Sequence, residues 1–110
     1  MSTADRINKL KDGLLTVTES VYHAWAHKAQ APYIVWMTDS AGDALRANGM
    51  TEEQPISGAV HLFEPTGTKE SKFPAVQKVL NEAECAWRLG SIQHEQETGL
   101  THYEWIWEVC

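Results

Sequence analysis

The sequence of 110 residues contains only two cysteines, Cys85 and Cys110. Two cysteines are too few for a disulfide framework, and they do not have the spacing of metal ligands. No apolar run reaches the roughly 18–20 residues that span a bilayer, and the first residues lack a cationic leader followed by an apolar stretch. We therefore expect one domain, residues 1–110, in a reducing cytosolic compartment and away from membranes.

Basic residues are also scarce, with nine Lys and Arg against fifteen Asp and Glu and a formal charge of −6. A nucleic-acid binder gathers Lys and Arg to neutralise phosphates. Here no two basic residues are adjacent, and six acidic residues lie between Glu82 and Glu108. The charge therefore predicts protein partners and no nucleic acid.

The motifs of common enzymes are missing. No serine stands in a Gly-x-Ser-x-Gly frame, and Gly67-Thr68-Lys69 lacks the earlier glycine and the following hydroxyl of a phosphate-binding loop. His94-Glu95 begins like a zinc-protease motif, but Thr98 stands where the second histidine is needed. We expect no catalytic, cofactor-binding or metal-binding residues and no enzymatic activity.

Two helices and five strands are predicted by the apolar spacing, in the order α-β-β-β-α-β-β. Antiparallel strands with both helices on one face of the sheet make an α+β fold. Residues 40–55 carry no strand signal and predict a mobile or partner-facing loop. The predicted elements are a helix over 4–14 with Thr3 as its cap, strands over 20–25, 33–38 and 56–64, a helix with Ser71 as its cap and Pro74 in its first turn, and strands over 85–96 and 100–109.

The last two strands alternate in polarity and predict a C-terminal hairpin with the three-residue loop Glu97-Thr98-Gly99, in which Gly99 adopts left-handed geometry. Gln96 then faces Leu100. This register pairs residues as follows: Trp87 with Val109, Leu89 with Trp107, Ser91 with Trp105, Arg88 with Glu108, and His94 with His102.

The pair His94 and His102, beside Glu104, is the sharpest candidate site, because two imidazoles and a carboxylate can hold zinc. An exposed cross-strand pair is the interpretation that the pattern favours. Other candidates are weaker: His23 and His27 as metal ligands on a helix, His61 as a partly buried structural residue, Cys85 as an inert strand thiol, and Asp39 with Asp43 as an acid pair in a loop.

Five tryptophans are unusual in so short a chain and require a tight core or a partner. The predicted hairpin assigns Trp87, Trp105 and Trp107 to one packed face, and Trp36 falls in a central strand. Trp25 alone is left for a partner.

The layout resembles the small tail-completion or tail-terminator proteins of long-tailed bacteriophages and prophages. Four segments carry the resemblance, which spans nearly the whole chain: Ala31-Pro-Tyr-Ile-Val-Trp36, the strand end Leu62-Phe63, Phe73-Pro-Ala-Val-Gln-Lys-Val-Leu80 and Tyr103-Glu-Trp-Ile-Trp-Glu-Val109.

The resemblance implies a structural virion-assembly protein that forms a ring, often of six subunits, caps the tail tube and joins the tail to the head. Its partners would be copies of itself and tail-tube or head-completion proteins, first in the host cytoplasm and then in the virion tail. Ring contacts join two different patches, for which we expect the 40–55 loop and the outer strand edges. The alternative is a small-molecule-binding or regulatory α+β domain, with a cavity between helices and sheet.

Overall fold

The computed structural model describes residues 2–39 and 55–109. Within these ranges the chain forms two helices and five strands in one mostly antiparallel sheet, which confirms the predicted α+β class and element order. The elements are α1 (Thr3–Val17), β1 (Val21–His23), β2 (Tyr33–Thr38), β3 (Ile56–Pro65), α2 (Phe73–Glu82), β4 (Ala86–Glu95) and β5 (Leu100–Val109). The expected loop over 40–55 lies outside the described residues, except for Pro55.

Helix α1 begins one residue earlier than predicted, because Ser2 and not Thr3 is its N-cap. The Ser2 hydroxyl accepts from the Asp5 N–H at 3.1 Å, and the Asp5 carboxylate accepts from the Ser2 N–H at 3.3 Å. This is a reciprocal capping box. The helix also continues past residue 14 to Val17, since Val17 packs against the core and β-branched residues lower helix propensity only slightly.

Helix α2 has Lys72 at its N-cap position, so the prediction of Ser71 as the cap was wrong by one residue. The Ser71 hydroxyl still accepts from the Phe73 N–H at 3.1 Å. That hydroxyl donates to the buried carboxylate of Glu64, which also accepts from the Lys72 N–H. Pro74 lies in the first turn as expected.

The sheet order is β1-β2-β3-β5-β4, and only the pair β1–β2 is parallel among the described strands. Strand β1 contains three of the six residues predicted over 20–25, and it stops at His23, two residues before the predicted end, because Ala24 adopts a left-handed φ of 72°. The core lies between one sheet face and the two helices. Its most buried members include Leu10, Leu14, Ile34, Val60, Leu62, Val76, Leu80, Trp105 and Trp107.

The C-terminal hairpin is present, but its predicted register was wrong. The loop has four residues, 96–99, and Glu95 rather than Gln96 faces Leu100. Gly99 has the expected left-handed φ of +71°, and its N–H donates to the Glu95 carbonyl. A bulge at Gly90 shifts the register once more, and the observed pairs are Trp87 with Trp107, Arg88 with Ile106, Leu89 with Trp105, Ser91 with Glu104, and His94 with Thr101.

The bulge explains why the predicted aromatic face is correct although the predicted register was wrong. One extra loop residue alone would move every β4 side chain to the opposite face. The extra residue at Gly90 reverses that change for the first part of β4, so Trp87 and Leu89 share the helix-covered face with Trp105 and Trp107. Ser91, which follows the bulge, moves to the other face.

Candidate functional site

The predicted pair of His94 and His102 does not form, because the observed register places the two rings on opposite faces of the sheet. His94 lies on the helix-covered face, where its Nδ1 is 2.9 Å from the Thr101 hydroxyl. His102 lies on the face that neither described helix covers, called here the open face. The zinc site of the sequence hypothesis is therefore not assembled from these two residues.

On the open face His102 instead meets His61 of β3. The distance between His61 Nδ1 and His102 Nε2 is 2.7 Å, so one ring donates a hydrogen bond to the other. The outer nitrogens face carboxylates: His61 Nε2 lies 3.7 Å from Glu104, and His102 Nδ1 lies 3.9 Å from Glu95. These four side chains form a row across β3, β5 and β4.

The hydrogen bond between the two imidazoles restricts their protonation. If both rings were protonated to imidazolium, two N–H groups would face each other, since an imidazolium has no acceptor nitrogen. Burial lowers the pKa of His61, His102 lowers it further, and Glu104 opposes the shift. Burial likewise lowers the pKa of His102 against the opposing effect of Glu95 and Glu104. Both shifts favour the neutral form of each ring over its protonated form in the folded chain.

This row of groups does not have the arrangement of a metal site. The inner nitrogens of His61 and His102 face each other, and the outer nitrogens face two different carboxylates. Across residues 2–39 and 55–109, no three His, Cys, Asp or Glu side chains converge as metal ligands would.

The histidine pair belongs to a ladder of stacked rings across the open face. Tyr33, Phe63 and His102 are register partners on β2, β3 and β5. The ring centroids of Tyr33 and Phe63 are 4.6 Å apart, and those of Phe63 and His102 are 4.1 Å apart. Because these rings stack on one another, the ladder ties strands together and does not offer a flat surface to a ligand.

The remaining sequence candidates have separate surroundings. His23 stacks on Trp36 at 4.3 Å, whereas His27 contacts Trp25 edge-on at 5.8 Å. Asp39 accepts a hydrogen bond from the Ser57 hydroxyl, and its proposed partner Asp43 lies outside the described residues.

Cys85 is a buried free thiol directly before β4. Burial raises its pKa to about 11, and nearby Arg6 only partly opposes this shift. Since the thiolate is the nucleophile, the thiol is unreactive at neutral pH, as the sequence indicated.

The tryptophans divide as the sequence predicted. Trp105, Trp107 and Trp36 are buried, and Trp87 packs half-buried against the core. Trp25 is the outlier: it is 68% exposed, in the segment that follows edge strand β1. At the other edge, Leu89 and Ile92 of β4 are also exposed.

Described residues line at least three surface grooves. One, of about 350 Å³, lies beside α1 and α2 and includes Val17, Lys72 and Val79 in its lining. A smaller one, of about 210 Å³, is lined by residues of the same two helices and by Ala83. The third, called here the open-face groove, has a volume of about 330 Å³ and spans β3, β5 and β4, and it is lined by Ser57, Ala86, Trp87, Arg88, Ile106, Trp107 and Glu108. None of these three grooves lies between helices and sheet, where the small-molecule alternative expects a cavity.

The sequence did not predict two features, the His61–His102 pair and the open-face groove. Both depend on which residues of β3, β4 and β5 lie side by side, and that depends on the β3–β5 pairing and on the bulge at Gly90. The availability of Trp25 at the surface was indicated by the sequence.

The chain matches no protein-family model and no curated protein. Within the described ranges, neither helix has the length and apolar character needed to cross a membrane.

Proposed function

We propose that this chain is a structural subunit of a phage or prophage tail, of the tail-terminator or tail-completion class. It forms a ring with copies of itself at the end of the tail tube and provides the surface that joins the head. It has no catalytic role and no cofactor. It acts in the host cytoplasm during assembly and then in the virion tail.

The observation that carries the proposal is the fold itself. The described elements follow the order on which the family resemblance rests, and both helices lie on one face of a single sheet. The two sheet edges are unlike, with the short β1 at one and the ten-residue β4 at the other. Unlike edges suit a heterologous contact, the type that closes into rings.

The charge supports protein partners. A net charge of −6 disfavours binding to nucleic acid, whose phosphates repel an acidic surface. Three large apolar side chains are exposed near the sheet edges and are accessible to such partners, Trp25 on one side and Leu89 and Ile92 on the other.

The test is light scattering after size-exclusion chromatography, on the protein alone and after mixing with tail-tube protein, followed by electron microscopy of the mixture. We expect rings in solution or on tube ends. A protein that remains monomeric at high concentration and does not bind tubes would contradict the proposal. Flanking genes for a tail-tube protein and a tape-measure protein would support it independently.

A further inference from the structure

Strand β4 is an edge strand with its outer side open among the described residues. It ends the sheet order β1-β2-β3-β5-β4, and β5 is its one partner among the described strands. Its ten residues therefore present a row of backbone N–H and C=O groups that the described ladder does not use. An edge of this length can pair with a strand of another molecule.

Large apolar side chains accompany this open edge. Leu89 and Ile92 point to the helix-covered face, since their register partners on β5 are Trp105 and Tyr103. They are nevertheless 38% and 48% exposed, so the helices stop short of the edge. The half-buried Trp87 continues the same apolar strip. Backbone groups for a ladder and apolar side chains for cross-strand contact are thus available together.

The bulge at Gly90 makes the pattern of β4 symmetric about its middle. Leu89 and Ile92 are equally far from the midpoint between Gly90 and Ser91, and so are Trp87 and His94. All four lie on the helix-covered face. In a regular strand, two residues placed symmetrically about such a midpoint point to opposite faces, because side chains alternate. The extra residue of the bulge removes this mismatch.

A second copy of β4, laid antiparallel about this midpoint, therefore matches the first copy face for face. The pairs are Leu89 with Ile92, Trp87 with His94, Arg88 with Gln93, Ala86 with Glu95, and Gly90 with Ser91. The backbone matches as well. The residues of the helix-covered face pair with every second residue of β5, from 101 to 107, so they share one hydrogen-bonding role. Both members of each such pair then direct their N–H and C=O groups the same way.

Two observations favour a second copy over an unrelated strand. A regular strand has no residue to place opposite Gly90, as the β4–β5 register shows, whereas a second copy places Ser91 there. The self-pairing also sets no two like charges opposite each other. Arg88 lies diagonally from Glu95 of the other copy, within the reach of long side chains.

We propose that two copies of this chain pair through β4, antiparallel about a two-fold axis between Gly90 and Ser91. Leu89 of each copy packs against Ile92 of the other, and the two sheets join into one. The inference goes beyond the proposed function, because an isologous pair closes on itself and forms no ring. The pair is the form of the free protein, and a ring that uses the β4 edge forms only after the pair separates.

The first test measures dimerisation of the protein alone by light scattering over a concentration series. Leu89→Lys and Ile92→Glu each place a charge in the apolar contact, and each is expected to weaken the dimer at least about tenfold. Leu15→Lys and Leu15→Glu are the matched controls, because they add the same charges at an exposed leucine of α1. Both controls are expected to dimerise as the wild type does.

A mixture of Leu89→Lys with Ile92→Glu tests the register. In a mixed dimer the introduced lysine faces the introduced glutamate, and the other half of the contact keeps Ile92 opposite Leu89. We expect the mixed dimer to form at least about tenfold more tightly than either variant pairs with itself. Native mass spectrometry distinguishes the three species, and circular dichroism with a thermal melt checks that both variants fold.

Amide hydrogen exchange of the wild type tests the same contact without a substitution, and it decides the question if a variant does not fold. Outer amides of β4 are expected to exchange more slowly as the protein concentration rises, whereas those of β1 do not change.

Three outcomes overturn the inference. They are a wild type that remains monomeric up to about 1 mM, a wild type whose assembly both charge variants match, and a mixture without mixed dimers. The proposed function stands in each case, since it is tested by binding to tail tubes.

Discussion

The two faces of the sheet are stabilised in different ways. The helix-covered face buries Trp105 and Trp107 to 0% and 1% exposure, and their indole N–H groups have no hydrogen-bond partner among the described residues. The open face carries half-buried rings, the linked His61 and His102, and carboxylates. Apolar burial is therefore concentrated on the covered face, whereas the linked histidines lie on the open face.

The largest effect is expected from Trp105→Ala, which removes a fully buried indole from the covered face. Such truncations cost about 3–5 kcal/mol, because the cavity is only partly refilled. Trp25→Ala is the matched control, since Trp25 is mostly exposed, and we expect a change within about 0.5 kcal/mol. Urea unfolding measures both at a protein concentration that keeps the chain monomeric. Equal losses in the free energy of unfolding would contradict the distinction between the buried Trp105 and the exposed Trp25.

The next effect is expected from Gly58→Ala in β3. A Cβ at residue 58 would lie 2.0 Å from the Met37 carbonyl oxygen and 2.5 Å from the Trp107 ring. The backbone of β2 and the Trp107 side chain must therefore move away from β3. Overpacking of this kind costs about 1–3 kcal/mol.

Gly90→Ala is the control for that substitution. Its nearest neighbours are the Glu104 carboxylate at 3.1 Å and carbonyl at 3.3 Å, and the carboxylate can move. We expect a smaller loss in the free energy of unfolding than for Gly58→Ala, measured by chemical denaturation. The reverse order would show that the covered face is not tightly packed at Trp107.

A smaller effect is expected from Phe63→Leu in the ring ladder. Leucine keeps an apolar side chain but loses stacking on Tyr33 and His102, which is worth about 0.5–1.5 kcal/mol. Met37→Leu, a volume-conserving change in β2 on the same face of the sheet, serves as the comparison. If the two substitutions had equal effects on the free energy of unfolding, the ladder would contribute only its buried area.

The smallest effect is a pH dependence that originates on the open face. The pKa values of His61 and His102 are lowered in the folded chain, so between those values and the ordinary value near 6.5 the unfolded chain binds more protons. Stability is therefore full above about pH 6.5 and falls as the pH decreases below it.

His102→Phe keeps a ring beside Phe63 and removes one titrating group. We expect the fall in melting temperature below pH 6.5 to become shallower, whereas His27→Asn, at an exposed position, leaves it unchanged. A wild-type protein whose melting temperature rises as the pH falls through this range would contradict the assignment.

The fold class, the element order and the core of each helix could be predicted because they follow local patterns. Ile7, Leu10 and Leu14 repeat with helical spacing, and all three are buried. The span of β2 was also predicted to the residue, since its dense apolar run is bounded by polar segments and a proline.

The register could not be predicted, because it depended on one residue at each of two places. The hairpin loop holds four residues where Gly99 alone indicated three, and the bulge at Gly90 has no signal beyond the glycine itself. Each change reverses the faces of β4, so the predicted pair of His94 and His102 was wrong although the tryptophan face was right. The partnership of His61 with His102 spans 41 residues and depends on the β3–β5 pairing, which no local pattern contains.

The most direct test of assembly as the role of this chain is the number of copies bound at the end of each tail tube. It can be measured by electron microscopy and by the mass of the tube-bound particles, for the wild type and for Trp25→Ala. We predict a closed ring of fixed copy number for the wild type and incomplete or absent rings for the variant. A wild-type protein that leaves tube ends bare while remaining folded and monomeric would contradict the account.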